Sequence, residues 1–562
     1  MSRVALVTGS SSEQRRAGEL CLAPLALYAL LFFAFTFPLL ARFSTHFFAN
    51  DGDGLSNVWN LWWVGTAVTR LRTWPWFTAH LHFPHGTTLL GHTLNPFNGF
   101  VSILLEPWLG LVRAHNTIVI FAFVFGAYAA FRLALHVSGR YAGSLVAGFV
   151  FGFSTYHFAH AEGHLNLVSL EWIPLFLLAW ICLLERPSAS RATLAAFSLL
   201  LVLLCDYYYF FYCVLAGALV LVAEAWHRRD WRFWLRAPLA GRLAAFVGVS
   251  ALTSGVLVAL LLWTDQRDPF MGEHDASQFS LDLLALWIPG GTWRFHELSE
   301  AFWSRLPGNT TESSVHLGVG VTLAALFAWR SRARPAAPDL TLWWVILGFF
   351  AVMSLGPSLQ IWGRLYPIPL PYRLLEQGFP PLRVSGVPVR MVVMVTLAAG
   401  ILAGAGIDEL LRRGARARVG ALLLMLCMVV ELLPRPLTTT DSRRVPGWVA
   451  PLAALPKQHG FMDATAAIPS AAALYFQTLH EVPMFEGFIA RVPASVFLKS
   501  NALRQLLLRR DFASLCQQYG FAYFLLRERT GHGALPVAPV WMGEGLELYD
   551  VRTAWVCRSA TN

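Results

Sequence analysis

Long apolar runs separated by short polar segments make up most of the chain up to residue 436. A helix needs about 20 apolar residues to cross roughly 30 Å of hydrocarbon, and several runs approach that length. Because backbone polar groups in lipid must be satisfied within their own segment, the runs predict helices. About eleven membrane spans are predicted, near residues 22–41, 116–137, 142–158, 165–184, 192–204, 208–225, 243–263, 315–329, 341–361, 389–407 and 419–434.

The composition supports this interpretation, since 56% of the residues are hydrophobic and 14% are charged. A soluble domain could not bury so large an apolar fraction. A membrane β-barrel would instead show short segments of alternating hydrophobicity. The sequence therefore predicts an all-α polytopic membrane protein whose transmembrane module covers residues 22–436.

Arginines mark one side of this predicted membrane module. They lie in alternate short loops, at 15–16, 140, 186–191, 228–242, 330–334 and 412–418. Because cytoplasmic loops collect Lys and Arg, residues 1–21 are expected to form a cytoplasmic tail. Three long segments then fall on the extracytoplasmic face: 42–115, 264–314 and 437–562. This bias accounts for much of the net charge of +10, so we expect no nucleic-acid partner.

The C-terminal segment 437–562 has a different pattern. Short apolar runs at 521–526 and 546–549 are typical of strands, so we expect a small α/β or β-rich extracytoplasmic domain without catalytic groups. Cys516 and Cys557 both lie there, where oxidation is feasible. The sequence leaves open whether they form a disulfide or stay as free thiols.

Candidate chemistry begins just after the first predicted span. Asp51 and Asp53, separated by Gly52, could supply a general base or metal ligands near the membrane surface. The alternative is an ordinary solvated turn, because Asp and Gly are common turn residues.

Two amphipathic stretches follow the acidic pair. Leu55, Trp59, Trp62 and Trp63 share one face of a predicted helix of about four turns, and Trp at this depth favours the membrane interface. Residues 97–112 predict a second interfacial or half-inserted helix. The first outer segment is therefore expected to carry two interfacial helices.

Further polar residues are expected on the same face. His160 and His164 have helical i, i+4 spacing, which could hold a divalent metal, but no third ligand is evident. Hydrogen bonding to sugar or phosphate, or capping of the span, is the alternative, so no metal ligand is assigned. Binding candidates also include His92, and Asp206 with Tyr207 at the tip between two spans. The polar segment 264–314, which includes Glu312, could cover the acceptor or simply be exposed.

At this point the chain resembles the GT-C superfamily of multi-pass glycosyltransferases, which includes protein O-mannosyltransferases. It is most similar to a group of uncharacterised bacterial membrane proteins of that type. The resemblance covers about the first 410 residues and lies in the plan of the spans together with short patterns: Gly52-Asp53 with Asn57 and Trp59, Phe83-Pro84, His164 with Trp172-Ile173-Pro174, and Asp206-Tyr207-Tyr208-Tyr209.

The resemblance implies an enzyme of the bacterial inner membrane that builds cell-envelope glycans. It implies a polyprenyl-phosphate sugar donor, a glycan, lipid or protein hydroxyl as acceptor, and inversion at the sugar. Asp53, or else Asp51, would be the catalytic base. Arg383 and Arg390 are candidates to meet the leaving phosphate, or else they extend to the interface. No cofactor is certain, and a divalent cation, Mg or Mn, is left open. A lipid or polysaccharide-precursor transporter and a noncatalytic scaffold of this fold are the alternative functions.

Overall fold

The computed structural model describes residues 11–332, 337–379, 382, 386–465, 470–528, 535, 537–554 and 557. Helices dominate the fold. Those of ten residues or more span Ser11–Phe35, Asp53–Gly65, Pro96–Ser138, Tyr141–Gly152, Trp172–Glu185, Ala189–Cys205, Tyr207–Arg228, Leu239–Ser250, Val256–Arg267, Val319–Ser331, Thr341–Ser354, Val392–Leu411, Ala415–Glu431, Ser470–His480 and Ala494–Leu508. Shorter helices span Thr155–Ala161, Leu165–Val168, Glu300–Trp303, Thr310–Ser313, Tyr372–Gly378, Val449–Ala453 and Phe512–Gln517.

The chain is an integral membrane protein. Among the described residues, four helices are long and apolar enough to cross a membrane: Pro96–Ser138, Tyr207–Arg228, Leu239–Arg267 and Pro388–Leu411. Shorter apolar helices lie at Leu22–Phe35, Trp172–Glu185, Ala189–Cys205, Val319–Ser331 and Thr341–Ser354. The count of about eleven spans therefore stays a prediction.

Three predicted segments have different boundaries in the structure. The predicted helix 97–112 and the span 116–137 lie in Pro96–Ser138, which is broken at Gly110 (φ 73°, ψ 162°). The predicted span 341–361 ends as a helix at Ser354 and continues into a β-hairpin, because Gly356 turns the backbone with φ +71°. The predicted span 165–184 becomes a regular helix only at Trp172.

The helix Val392–Leu411 lies at the centre of the membrane bundle. All of its residues except Leu411 are buried. A Cβ atom added at Gly143 would lie 2.2 Å from the backbone oxygen of Gly404, so glycine is required at this crossing. Small residues let helix backbones approach closely in membranes, where lipid itself provides no hydrophobic drive for association.

Segment 42–115 and the C-terminal segment 437–562 pack into one body. Strand His46–Phe47 pairs with Thr440–Asp441, and Phe270–Met271 pairs with Val492–Pro493. The other short pairs are Phe77–Thr78 with Thr87–Thr88, and Ser358–Ile361 with Arg364–Pro369. A four-stranded mixed sheet has the order Trp541–Gly543, Leu546–Asp550, Phe521–Arg527 and Gly460–Asp463. Two of its strands contain the runs for which strands are predicted.

The tryptophan face of helix Asp53–Gly65 is packed inside this body, contrary to the predicted interfacial position. Trp59 and Trp63 are 0% and 1% exposed. The Trp59 indole N–H donates to Gln477 Oε1 at 2.7 Å, and the Trp63 indole N–H donates to the Pro75 carbonyl at 2.9 Å. Protein groups therefore satisfy both indoles, and these two rings are not membrane anchors.

Cys516 and Cys557 form a disulfide. The bond links the short helix Phe512–Gln517 to the last described part of the chain. Of the two alternatives left by the sequence, the structure contains the paired form.

Candidate active site

Asp53 is the first residue of helix Asp53–Gly65 and directly follows the turn formed by residues 50–52. The Asn50 side-chain oxygen accepts hydrogen bonds from the backbone N–H groups of Gly52 and Gly54, at 3.1 and 3.0 Å. A Cβ at Gly54 would lie 2.6 Å from the Ala49 Cβ, so the turn requires glycine there. The turn fixes the direction of Asp53, whose negative charge suits a helix N-terminus. Asp51 is exposed in the turn.

A row of polar side chains begins at Asp53 and runs into the protein. His164 Nε2 lies 3.1 Å from Asp53 Oδ2, and His164 Nδ1 lies 3.0 Å from His160 Nδ1. His160 Nε2 in turn lies 3.7 Å from a Glu312 carboxylate oxygen. The row ends at Arg390, whose guanidinium N–H groups donate to both oxygens of Glu312. We call Asp53, His164, His160, Glu312 and Arg390 the acidic relay.

Exposure falls steeply along the acidic relay. The side chain of Asp53 is 43% exposed and that of His164 is 20% exposed, whereas His160 and Glu312 are 0% and 4% exposed. Arg390 is buried and lies under the ring of Tyr208, 5.1 Å from its centroid. Only the Asp53 end can readily contact a substrate.

Local contacts hold the loop 160–164, which carries both histidines, against the turn 50–54. Asn57 donates its side-chain amide to the Gly163 carbonyl at 2.8 Å, and the Asn50 N–H donates to the Glu162 carbonyl at 2.6 Å. The Glu162 carboxylate contacts Arg435 at 2.8 Å. Glu162 therefore does not join the row between the two histidines.

The surroundings keep the two carboxyls ionised at neutral pH. The hydrogen bond from His164 holds the pKa of Asp53 below its usual value. Burial alone would raise the pKa of Glu312, but Arg390 and His160 lower it to about 2. Burial lowers the pKa of His160, which favours the neutral imidazole. Two carboxylates and the neutral imidazole of His160 form a site suited to a cation or to accepting a proton.

His160, His164 and Glu312 also meet the distance requirement for a metal site. One ligand atom from each lies within 4.8 Å of the others. The buried Nε2 of His160 has no hydrogen-bond partner in the described structure, so it is available as a metal ligand. The spacing of the two histidines is evident from the sequence. Nothing in the sequence indicates that Glu312, in the distant polar segment 264–314, lies beside them. Glu312 lies on the one-turn helix Thr310–Ser313, which Asn309 caps. The tertiary fold brings this helix to the histidines.

The other sequence candidates separate into different environments. Asp206 is buried as a helix cap: one of its oxygens accepts from the N–H groups of Tyr208 and Tyr209, and the other accepts from Asn166. Asp206 is thus held by the protein and positions the tyrosines that follow it. Arg390 is bound to Glu312 instead of extending to the interface, and Arg383 lies outside the described residues.

His92 is buried beside this site. Its Nδ1 accepts a hydrogen bond from the Ala490 N–H, so the ring donates through Nε2 to Asn60 Oδ1 at 2.9 Å. Burial lowers its pKa to about 4. His92, Asp206 and Tyr207 line one cavity of about 180 Å³, whose remaining walls are mostly apolar. Three of the predicted binding residues therefore share a cavity.

A family model described as a domain of unknown function, DUF6311, matches residues 23–432. The chain belongs to the DUF6311 family. No curated protein matches this DUF6311 sequence.

Three solved structures are similar to the DUF6311 chain. The mycobacterial arabinofuranosyltransferase AftD is 14% identical with a TM-score of 0.56, over 95% of this chain and 41% of AftD. ArnT from Cupriavidus metallidurans is 14% identical with a TM-score of 0.49, over 95% and 98% of the two chains. The oligosaccharyltransferase AglB from Archaeoglobus fulgidus is 11% identical with a TM-score of 0.48, over 90% and 69%.

The likeness to AftD concerns the fold. The DUF6311 chain has the GT-C fold expected from the sequence, and it spans less than half the length of AftD.

Proposed function

We propose that this protein is a membrane glycosyltransferase that moves a sugar from a polyprenyl-phosphate donor to an acceptor hydroxyl, with inversion. The observation that carries the proposal is the acidic relay, which is buried from His160 to Arg390 and ends in an ionised, partly exposed Asp53. The GT-C fold and the named activity of AftD, a glycosyl transfer, support the same reaction class.

Asp53 is the catalytic base of the proposed reaction. Its carboxylate takes the proton of the acceptor hydroxyl while the hydroxyl oxygen bonds to the anomeric carbon. The bond from that carbon to the phosphate oxygen breaks, and polyprenyl phosphate leaves with the electron pair. One displacement inverts the anomeric centre, so one base is sufficient. His164 orients Asp53 and stabilises its ionised form through their hydrogen bond.

His160, His164 and Glu312 would hold a divalent cation at this site. Two imidazoles and one carboxylate suit Mn or Zn better than Mg, which prefers oxygen ligands. When bound, the cation would supply positive charge within the acidic relay.

Transfer assays on Asp53 variants test the function. Purified protein in liposomes is given a panel of polyprenyl-phosphate hexoses and pentoses with a membrane extract as acceptor, and release of polyprenyl phosphate is measured. Asp53→Asn is expected to reduce turnover by about 10²- to 10⁴-fold, since it removes a base of near-equal size. Asp51→Asn, in the same exposed turn, is the matched control and should stay near wild type. Full activity of Asp53→Asn would overturn the assignment.

The metal site is tested by metal content. After chelation and reloading with Mn or Zn, the wild type is expected to retain about one ion per chain. His160→Ala should lose this ion, because it removes the buried donor, whereas His227→Ala, an exposed histidine paired with Asp339, should retain it. Equal metal content in wild type and His160→Ala would remove these residues from the proposal.

We also propose the sidedness predicted from the arginines, with the N-terminus in the cytoplasm of a bacterial inner membrane. The Cys516–Cys557 disulfide supports an oxidising location for the C-terminal segment. Asp53 and the C-terminal segment pack together in one body, so this sidedness puts the acidic relay at the outer face.

A further inference from the structure

A groove of about 580 Å³, which we call the lateral groove, lies between three helices of the membrane bundle: Pro96–Ser138, Trp172–Glu185 and Ala189–Cys205. Cys205, at the end of the third helix, lines the cavity that holds His92. Arg191, in the first turn of the same helix, lines the lateral groove, and about 20 Å of helix rise separates the two residues. The Arg191 end of the groove is therefore remote from the candidate active site.

Much of the lateral groove is an apolar wall. Leu194, Phe197 and Leu201 line it from one helix, at the three- and four-residue spacing of a single face. Leu194 and Phe197 are 55% and 52% exposed, so other described parts of the chain leave this face open to lipid. From Arg191 to Leu201 the helix rises by about 15 Å, half of a hydrocarbon core of roughly 30 Å. The wall thus matches an acyl chain in one leaflet.

One end of the lateral groove is basic. Arg132 and Arg191 line it from two different helices, and Arg186 directly follows the third. Their acidic neighbour is Glu185, which pairs with His136 at 3.1 Å. The charges of Arg186 and Arg191 also act on the Glu185 carboxylate. Three arginines beside one carboxylate leave this end with an excess of positive charge.

The two arginines that line the groove are held by neutral acceptors. Arg132 donates to the Tyr128 hydroxyl at 2.9 Å. Arg191 donates to the backbone carbonyls of Cys182 and Arg186, at 3.3 and 2.7 Å. Each guanidinium has five N–H donors in a planar fork that matches phosphate oxygens, so further donors remain on both. This end of the groove can therefore bind an anionic phosphate.

We propose that the lateral groove binds a phospholipid with an anionic headgroup. Its phosphate contacts Arg132 and Arg191, and one acyl chain lies on the apolar wall. Basic pockets between membrane helices on the cytoplasmic side bind such headgroups, and the sidedness proposed above puts this end of the groove there. The inference does not depend on glycosyl transfer, because the lateral groove and the acidic relay lie at opposite ends of the bundle.

Lipid binding to the purified full-length protein tests the assignment. Delipidated protein in detergent is titrated with phosphatidylglycerol, with phosphatidylethanolamine of the same acyl chains, and with glycerol 3-phosphate, and bound ligand is measured by native mass spectrometry. Wild type is expected to prefer phosphatidylglycerol to phosphatidylethanolamine by about twentyfold, because two arginines favour a net negative headgroup. Arg132→Gln and Arg191→Gln should each reduce this preference by about fivefold, and the double variant should abolish it.

Arg228→Gln is the matched control, because Arg228 ends the next membrane helix and pairs with Glu224 on the surface. It should keep the wild-type preference. Leu194→Trp tests the apolar wall, since Leu194 is exposed to lipid and a larger side chain is tolerated there. It should weaken binding of both phospholipids by filling the groove. Phosphatidylglycerol should also raise the Tm of wild type but not that of the double arginine variant.

Each contrary outcome decides against the proposal. Equal binding of the two phospholipids by wild type would identify ordinary lipid contact without a headgroup site. Loss of the preference in Arg228→Gln would assign it to the basic surface as a whole, and wild-type binding in Leu194→Trp would exclude the apolar wall. Glycerol 3-phosphate bound as tightly as phosphatidylglycerol would indicate a site for a free phosphate ester instead. Asp53→Asn should bind phosphatidylglycerol as wild type does, so this proposal and the glycosyltransferase proposal fail separately.

Discussion

At the level of single residues, the acidic relay connects one partly exposed carboxylate, that of Asp53, to a row of buried side chains. Asp53 and His164 are separated by 111 positions, yet both are candidates from the sequence because each follows a predicted span. Glu312 and Arg390 make a buried pair that no spacing predicts. Asp206 shows the opposite case, because its position at the tip between two predicted spans made it a binding candidate, whereas its oxygens are used in capping.

The hydrogen bond from His164 predicts a specific pH dependence. In the proposed reaction ionised Asp53 is the active form, and its pKa lies below the usual 3.8 because of the hydrogen bond from His164. In His164→Ala that bond is lost and burial raises the pKa, so kcat/KM should fall at mildly acidic pH where wild type is still active. The measurement is the rate profile from about pH 4 to pH 8.

His164→Gln is the matched control for this profile, since its side-chain amide can still donate to Asp53. Its acid limb should stay near that of wild type even where its maximal rate differs. Superimposable profiles for His164→Ala and wild type would exclude His164 as the group that tunes Asp53.

At the level of elements, helix Asp53–Gly65 shows what the pattern of apolar side chains can and cannot predict. The three- and four-residue spacing of its apolar side chains predicts the helix but not what covers it. Trp59 bonds to Gln477, 418 positions away, so the covering surface comes from a segment that local periodicity does not identify. The break at Gly110 depends on the backbone conformation of that one residue. The packing of the two helix halves on either side of it depends on distant parts of the chain.

The Glu312–Arg390 pair joins the one-turn helix Thr310–Ser313 to the start of the central membrane helix. Glu312→Ala is expected to destabilise the protein by about 3–5 kcal/mol, because it leaves Arg390 buried and unpaired. The double variant Glu312→Leu with Arg390→Met should cost less than this single change. Thermal unfolding in detergent with a chelator present measures both, and a double variant less stable than Glu312→Ala would contradict the prediction.

The same pair has a pH signature. The pKa of Glu312 is lowered from 4.5 to about 2, so its contribution to stability is complete above 4.5 and is lost as pH falls toward 2. Wild type should lose this part of its stability over that window, and the double variant should not.

At the level of the whole molecule, composition and arginine bias predict the class, and packing across distant segments decides the site. The membrane character and the GT-C fold are confirmed, while the span count and the sidedness stay predictions. Short apolar runs in 437–562 predict strands, but nothing in their pattern indicates that this segment covers the tryptophan face of helix Asp53–Gly65.

The disulfide tests the location of the C-terminal segment. In protein purified without reductant, Cys516 and Cys557 should resist alkylation, and both should react after reduction. Replacing both with serine should lower stability by about 4 kcal/mol in the chain-entropy account, given their separation of 41 residues. Complete alkylation of both thiols before reduction would contradict the pairing and the oxidising location.

The contact between Trp59 and Gln477 also bears on the order of events during synthesis. Helix Asp53–Gly65 leaves the ribosome well before the surface that covers it, because Trp59 and Gln477 are 418 positions apart. Contacts of such long separation form slowly, and exposed apolar faces invite aggregation in the interval. The nascent chain must therefore hold an uncovered tryptophan face while the helices between Pro96 and Glu431 are made, and helix Asp53–Gly65 is covered only after Gln477 follows.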